Sequence, residues 1–345
     1  MKKPDKILVL RFSSLGDVIL TTPLLKLIKQ NFPDARIDYS TKSAYSDVLK
    51  LNPNVDRIIP VDNNLDFNGL KNLKGLIKDN SYDLIIDAHN NLRTFYLRLF
   101  SGTKTLKFKK YSLRKFLLVN FKINLMKNLP PITERYIETI SPLLNEVSGG
   151  GVLPEIYTDD SSKQKVGNLF KELNIAADSK VICIVPATKH FTKTYPSEYY
   201  VELINKLGDS YKFLLVGKGT DKVNIEIIKS KTGNNVYDLC DKVSVFELAE
   251  VMKRCSLVIS GDTGPMHIAE ALNVPLIMIA GSSVREFGFF PQSKKSTVIE
   301  NEGLKCRPCS HFGRSECPLK HFKCMKELKS EMIYSAVVGV ITNNK

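Results

Sequence analysis

The chain has 345 residues, 43% of them hydrophobic and 25% charged, which excludes extensive disorder and is enough for about two domains with cores of their own. No apolar run reaches the roughly 20 residues of a bilayer span. A net charge of +14 turns attention to anionic partners: nucleic acid, an anionic membrane surface or phosphorylated small molecules.

Residues 6–12, KILVLRF, read as an apolar strand, followed by SSLGD and an apolar-periodic helix over 18–31. Arg11 interrupts the apolar start and no small-residue cleavage site follows, so a secretory signal is not expected and a cytoplasmic protein is. Strands are predicted at 35–40, 55–61 and 83–87, with helices at 45–51 and 66–79 between them. Such alternation implies right-handed crossovers and a parallel sheet covered on both faces. From Ala88 to Thr133 there is no acidic residue, while Arg93, Arg98, Lys104, Lys107, Lys109, Lys110, Arg114, Lys115, Lys122 and Lys127 all fall there. Phe108, Tyr111, Phe116 and Phe121 interleave with them and suit either a core or an interface. A helix is expected over 132–144, and 146–163 has the composition of a linker.

A second alternating pattern then begins. Strands are predicted at 180–185, 211–216, 235–238, 257–259 and 275–279, and helices at 197–207, 224–231 and 243–254. A last helix is expected over 331–341. The fold expected is α/β, with two Rossmann-like parallel-sheet domains facing across a cleft and divided as 1–160 and 161–345. Ligands of open parallel sheets sit at the carboxyl ends of strands.

Three of those ends carry candidate chemistry. Asp17 stands on the first turn of a helix beneath Ser13 and Ser14, suited either to the helix dipole or to general-base work. The first turn lacks both the GxGxxG and GxxxxGK[ST] patterns, which argues against a nicotinamide dehydrogenase and a P-loop NTPase. Residues 256–272, SLVISGDTGPMHIAEAL, read as strand, turn and helix, with Thr263 placed to cap and Pro265 suited to the first helical position. That turn is an anion site or a plain connector. Arg93 offers a planar fork to phosphate, and His89 is a polar loop residue or a ligand.

The late cysteines Cys306, Cys309, Cys317 and Cys324, with His311 and His321 among them, have spacing compatible with a structural zinc or iron–sulfur site as well as with reduced thiols. Cys183, Cys240 and Cys255 read as core. The basic span is also compatible with a non-enzymatic binder of nucleic acid or membrane, although no RNA-module signature accompanies it.

ILVLRFSSLGDVILTTPLLKLIK, KTYPSEYY and SGDTGPMHIAEALNVPLIMIAGSS, in that order, resemble glycosyltransferase family 9, the heptosyltransferases of lipopolysaccharide core assembly. The resemblance implies a GT-B fold and inverting transfer from an ADP-sugar that requires no metal or other cofactor. It makes Asp17 the catalytic base. Thr188, Lys193, Asp221, Asp262, Thr263, Gly264 and His267 become donor-binding, with Lys189 secondary. Ser14, Gly16, Asp87, Asn90 and Arg93 fall on the acceptor side. The implied partners are a nucleotide-sugar donor, a phosphorylated lipid-linked glycan and the anionic cytoplasmic face of the inner membrane, where each basic residue contributes about 1 kcal/mol. No nucleic acid is expected. A transferase of the same fold with another donor or acceptor is the alternative within enzymes.

Overall fold

The computed structural model describes residues 3–99, 101–144 and 151–343. The chain forms two compact units. The first comprises Met1–Tyr111 and Pro130–Tyr157, and the second Ser112–Leu129 and Thr158–Lys345. The basic segment Ser112–Leu129 thus groups with the second unit although the chain on either side of it belongs to the first. Part of the linker-like stretch, residues 146–150, lies outside the described residues.

The first unit is built on five parallel strands in the order β3-β2-β1-β4-β5. They are β1 (Lys6–Leu10), β2 (Arg36–Lys42), β3 (Arg57–Val61), β4 (Leu84–Asp87) and β5 (Lys104–Lys107). All of β1 after Lys6 is buried, because helices cover both faces of a parallel sheet. Leu8 and Leu10 enter one core with Ile59, Leu70, Leu73, Ile77 and Ile85. The helix Phe67–Asn80 supplies three of these at helical spacing. Asp66 caps it by accepting the N–H of Gly69 at 2.7 Å, and Ser81 ends it in the left-handed region.

The second unit has six parallel strands in the order β11-β10-β9-β6-β7-β8. These are β6 (Val181–Val185), β7 (Lys212–Leu215), β8 (Val236–Asp238), β9 (Leu257–Ser260), β10 (Leu276–Ala280) and β11 (Ser296–Glu300). The central β6, β9 and β10 are buried throughout. Cys183, Cys240 and Cys255 are buried as expected.

Several elements differ from the sequence reading for local reasons. The helix expected over 18–31 is two, Leu15–Leu20 and Thr22–Asn31, with Pro23 opening the second. The segment 132–144 is α-helical only over Ile132–Ile137 and continues as a 3-10 turn containing Pro142. Asp160–Glu172, inside and beyond the linker-like stretch, is a helix capped by Asp159, whose few apolar positions are masked by charge. The edge strands β5 and β11 escaped notice because neither is fully buried. No helix among the described residues is long and apolar enough to cross a membrane.

Two glycines let the Lys193 loop cross the ends of β9 and β10. A Cβ on Gly261 would lie 2.8 Å from the Lys193 carbonyl oxygen, and one on Gly281 would lie 2.6 Å from both the Thr192 oxygen and the Met325 methyl. The backbone oxygens cannot yield as a side chain could. Gly281→Ala should therefore lower stability by about 1–3 kcal/mol, read as a drop in the urea midpoint. An unchanged midpoint would show that the close approach constrains nothing.

Candidate active site

In the first unit Asp17 occupies the third position of the helix Leu15–Leu20, whose N-cap is Ser14. Its Oδ2 accepts the Ser14 N–H at 3.0 Å and the Ser14 hydroxyl at 2.9 Å. Its Oδ1 accepts the Tyr136 hydroxyl at 3.1 Å and lies 2.6 Å from Nη2 of Arg11. Arg11 Nη1 donates to the Ala88 carbonyl at 2.8 Å. Burial opposes ionisation of Asp17, but the Arg11 guanidinium and the Ser14 bonds prevail and hold its carboxyl down to about 2. Gly16 is buried behind it.

His89 accepts the Phe12 N–H at Nδ1, 3.2 Å away, which leaves the ring proton on Nε2. Burial and the neighbouring Arg11 and Lys110 push its pKa down to about 3, so it is a neutral donor near pH 7. Asp87 and Asn90 are engaged in holding the loop. Asp87 Oδ1 accepts the N–H groups of His89 (3.2 Å) and Asn90 (2.6 Å), and its Oδ2 lies 3.0 Å from Arg98 Nε. Asn90, at a φ of 46°, donates to the Phe108 carbonyl at 2.9 Å and so clips the end of β4 to that of β5. Arg93 is exposed on the first turn of the helix Leu92–Arg98.

In the second unit the loop after β6 ties itself together. Thr188 Oγ1 donates to the His190 carbonyl at 2.9 Å, and its N–H donates to Thr194 Oγ1 at 3.2 Å. Lys193 Nζ donates to Asp262 Oδ2 at 2.6 Å, and the Ser283 hydroxyl donates to the same oxygen. Burial raises the Asp262 pKa, but Lys193 and Ser283 lower it more, and the carboxyl stays ionised. Thr263 is the N-cap of the helix Gly264–Ala271, but its hydroxyl makes no capping bond. The cap is geometric, therefore; Pro265 has no N–H to offer and the Met266 N–H donates to the Thr263 carbonyl at 3.2 Å, which leaves the Gly264 N–H without an intrahelical partner. His267 is 3% exposed, with Nδ1 3.4 Å from Glu270 Oε2, while Glu270 Oε1 accepts the Gln292 N–H at 2.6 Å. Asp221 turns back to accept the Lys218 N–H at 3.0 Å, and Asp241 accepts that of Gly219. Lys189 makes no described contact with Asp262.

The cysteine-rich tail braces the Lys193 loop. Thr192 N–H donates to the Arg314 carbonyl at 3.2 Å, Arg314 N–H returns to Thr192 Oγ1 at 2.9 Å, and the Phe191 and Phe322 rings stack at 4.5 Å. The four late thiols are unpaired. Cys306 Sγ lies 3.9 Å from His321 Nε2, Cys317 Sγ accepts the Phe322 N–H at 3.4 Å, and burial pushes the Cys324 thiol up to about 12. Among the described residues no three His, Cys, Asp or Glu side chains converge on a common point.

Arg11, Tyr136, Ser283 and Glu270 were not among the predicted site residues. Ser283 and Glu270 lie inside or beside a recognisable motif, but their partners are set by tertiary contact. Tyr136 comes from a segment with no motif at all.

The profile of glycosyltransferase family 9 (heptosyltransferase) matches residues 71–321. The chain belongs to this family. It is a glycosyltransferase, and an exclusively non-enzymatic binder is set aside. Lipooligosaccharide heptosyltransferase 2 of Haemophilus influenzae is 24% identical over 319 residues, covering 87% of this chain and 91% of its own. A glycosyltransferase family 9 structure from Veillonella parvula superposes with a TM-score of 0.81 at 22% identity and 98% coverage of both chains. The Escherichia coli ADP-heptose LPS heptosyltransferase II does so with a TM-score of 0.76 at 20% identity, covering 98% of this chain and 99% of that one. The fold is that of these enzymes, GT-B with two parallel-sheet α/β domains.

Asp17 titrates in the folded protein below its ordinary value of 3.8. Its contribution to stability is therefore complete above about pH 4 and lost as the pH falls through 2. The difference is on the order of 2 kcal/mol. Wild-type protein should lose that much more stability than Asp17→Asn between pH 5 and pH 2, measured by urea denaturation. Parallel curves for the two would show that the ion pair does not hold the carboxyl down.

Proposed function

We propose that this enzyme transfers a heptose from ADP-heptose to the inner core of lipopolysaccharide, with inversion at the anomeric carbon and without a metal. The observation that carries the reading is the buried, ionised Asp17 held by Arg11, Ser14 and Tyr136 at the carboxyl end of β1. The relatives' substrates support the sugar and the acceptor.

In this reading the acceptor hydroxyl oxygen attacks the anomeric carbon, its proton passes to Asp17, and the bond to the diphosphate breaks with the electron pair leaving on ADP. A carboxyl held near 2 is a weak base at rest. It becomes competent as C–O bond formation acidifies the hydroxyl, so proton transfer is concerted with attack. Lys193 and the first turn of the helix Gly264–Ala271, with Asp262, Thr263, Gly264 and His267, receive the charge developing on the diphosphate. Lys193 supplies the cation that a metal supplies elsewhere, and Asp262 with Ser283 holds its ammonium in place until the anion arrives. Thr188 orders that loop, and Asp221 stands at the turn suited to the nucleoside. Arg93 and the donor proton of His89 suit a phosphorylated acceptor, beside Ser14 and Gly16. Asp87 and Asn90 act by shaping the loop that carries them. The lipid-linked acceptor places the enzyme at the cytoplasmic face of the inner membrane.

Asp17→Ala should reduce transfer at least about a thousandfold while leaving the ADP-induced thermal shift intact. Turnover near the wild-type rate would sink the assignment. Among ADP, UDP and GDP, only ADP and its sugars should stabilise the protein. A larger shift with UDP or GDP would replace the donor. Transfer should survive EDTA, and a requirement for added Mg²⁺ would refute the metal-free displacement.

A further inference from the structure

The sequence leaves the aromatic residues of the acid-free span divided between core and surface, and the structure separates them. Phe108 is buried, with its ring 4.6 Å from that of Tyr136. Phe116 and Phe121 are 54% and 61% exposed, and Leu113, Ile123 and Leu125 are 71%, 49% and 53% exposed. These residues belong to the helix Ser112–Phe121, in which only Leu118 is buried, and to the turn that follows it. Leu113 and Phe116 are three residues apart and share a face, and Phe121 sets its ring edge-on to Phe116 at 5.9 Å.

A ten-residue helix does not persist on its own propensity, so this one depends on its attachments. They lie at its C-terminal end. Lys122 Nζ donates to the carbonyls of Val119 (2.8 Å), Cys306 (3.2 Å) and Pro308 (2.7 Å), Asn124 donates to Glu286 Oε1 at 2.6 Å, and Met126 is fully buried. The segment is pinned by polar bonds and by buried Leu118 and Met126 while five large apolar side chains stay outside. A soluble surface rarely concentrates so much apolar area without a partner.

Charge identifies the partner. Arg114, Lys115, Lys122 and Lys127 belong to the same segment, and no acidic residue occurs between Ala88 and Thr133. A second copy of the chain would set like charges against each other. A single-stranded nucleic acid would stack on the phenylalanines but leave the aliphatic side chains in water. We propose that the helix Ser112–Phe121 and the turn to Leu125 dock on an anionic phospholipid bilayer. Leu113, Phe116, Phe121, Ile123 and Leu125 enter the interface, and the basic side chains other than Lys122, which is bound to the tail, lie among the headgroup phosphates. The inference rests on the lipid-linked acceptor above only for the reason such docking is useful.

The test uses the full chain and sedimentation with vesicles of phosphatidylglycerol and phosphatidylethanolamine, against vesicles of phosphatidylcholine alone. Wild-type protein should bind the anionic vesicles and lose binding as salt rises. The triple variant Leu113→Ser, Phe116→Ser, Phe121→Ser should bind them at least about tenfold more weakly. Its urea midpoint should not change, because the three positions are exposed, and it should transfer sugar to a lipid-free oligosaccharide acceptor at the wild-type rate. Equal vesicle binding by the two proteins would overturn the proposal. So would absence of wild-type binding, whether the patch then proves to hold an oligoribonucleotide or a second copy of the chain. Vesicle binding lost in the triple variant, with no transfer by either protein, would support docking while refuting the proposed reaction.

Discussion

The pairing of Arg11 with Asp17 fastens four separate stretches of the first unit. Arg11 extends from the end of β1, Asp17 opens the next helix, the Ala88 carbonyl follows β4, and Tyr136 comes from a helix 119 residues beyond Asp17. Burying such a pair is costly, and apolar residues of the same volume would often serve stability as well. What an apolar replacement cannot supply is a carboxylate that stays ionised with donors on both oxygens. The arrangement fixes the direction of the carboxylate and its protonation state together. It also contributes to the electrostatic setting of His89, which burial and the neighbouring cations keep neutral.

The second unit meets a comparable requirement by close packing. Strands β9 and β10 are each followed by a glycine, and the main chain of the Lys193 loop crosses where side chains would stand. The cysteine-rich tail closes over the same loop, with Gly313 against His190 and Phe322 against Phe191. A lysine side chain is long and entropically mobile. Holding its backbone on one side and its ammonium on the other, through Asp262 and Ser283, leaves it little freedom to lose when an anion binds. The tail thereby confines the loop that carries Lys193.

Apolar runs of five or so residues, each closed by a turn, made the parallel sheets legible in the sequence, because strands buried on both faces have little other way to be written. Asp17, Lys193 and Asp262 can be singled out in the sequence because each sits in a motif within the turn or loop that follows a strand. Arg11 is adjacent to one of these motifs and still escaped, since its sequence position suggests only an interruption of a hydrophobic run. Tyr136, Ser283 and Glu270 gain their roles from contacts formed after the sheets assemble. The helix Asp160–Glu172 was hidden by charge, because an edge helix that buries only Ser162, Val166 and Phe170 needs few apolar residues. The aromatic residues between 108 and 121 show the same limit. Their spacing is alike whether they face a core or water, and only the fold assigns Phe108 to one and Phe116 to the other.

The bonds from Lys122 to the carbonyls of Cys306 and Pro308 span 184 and 186 residues of chain. During synthesis at about 5–20 residues per second, the helix Ser112–Phe121 emerges roughly ten to forty seconds before the tail that anchors it. When its apolar and basic side chains leave the ribosome, the strands that will build the rest of its unit do not yet exist. The order of translation therefore presents this segment to its surroundings first as a short basic amphipathic peptide, and only at the end as part of a folded domain.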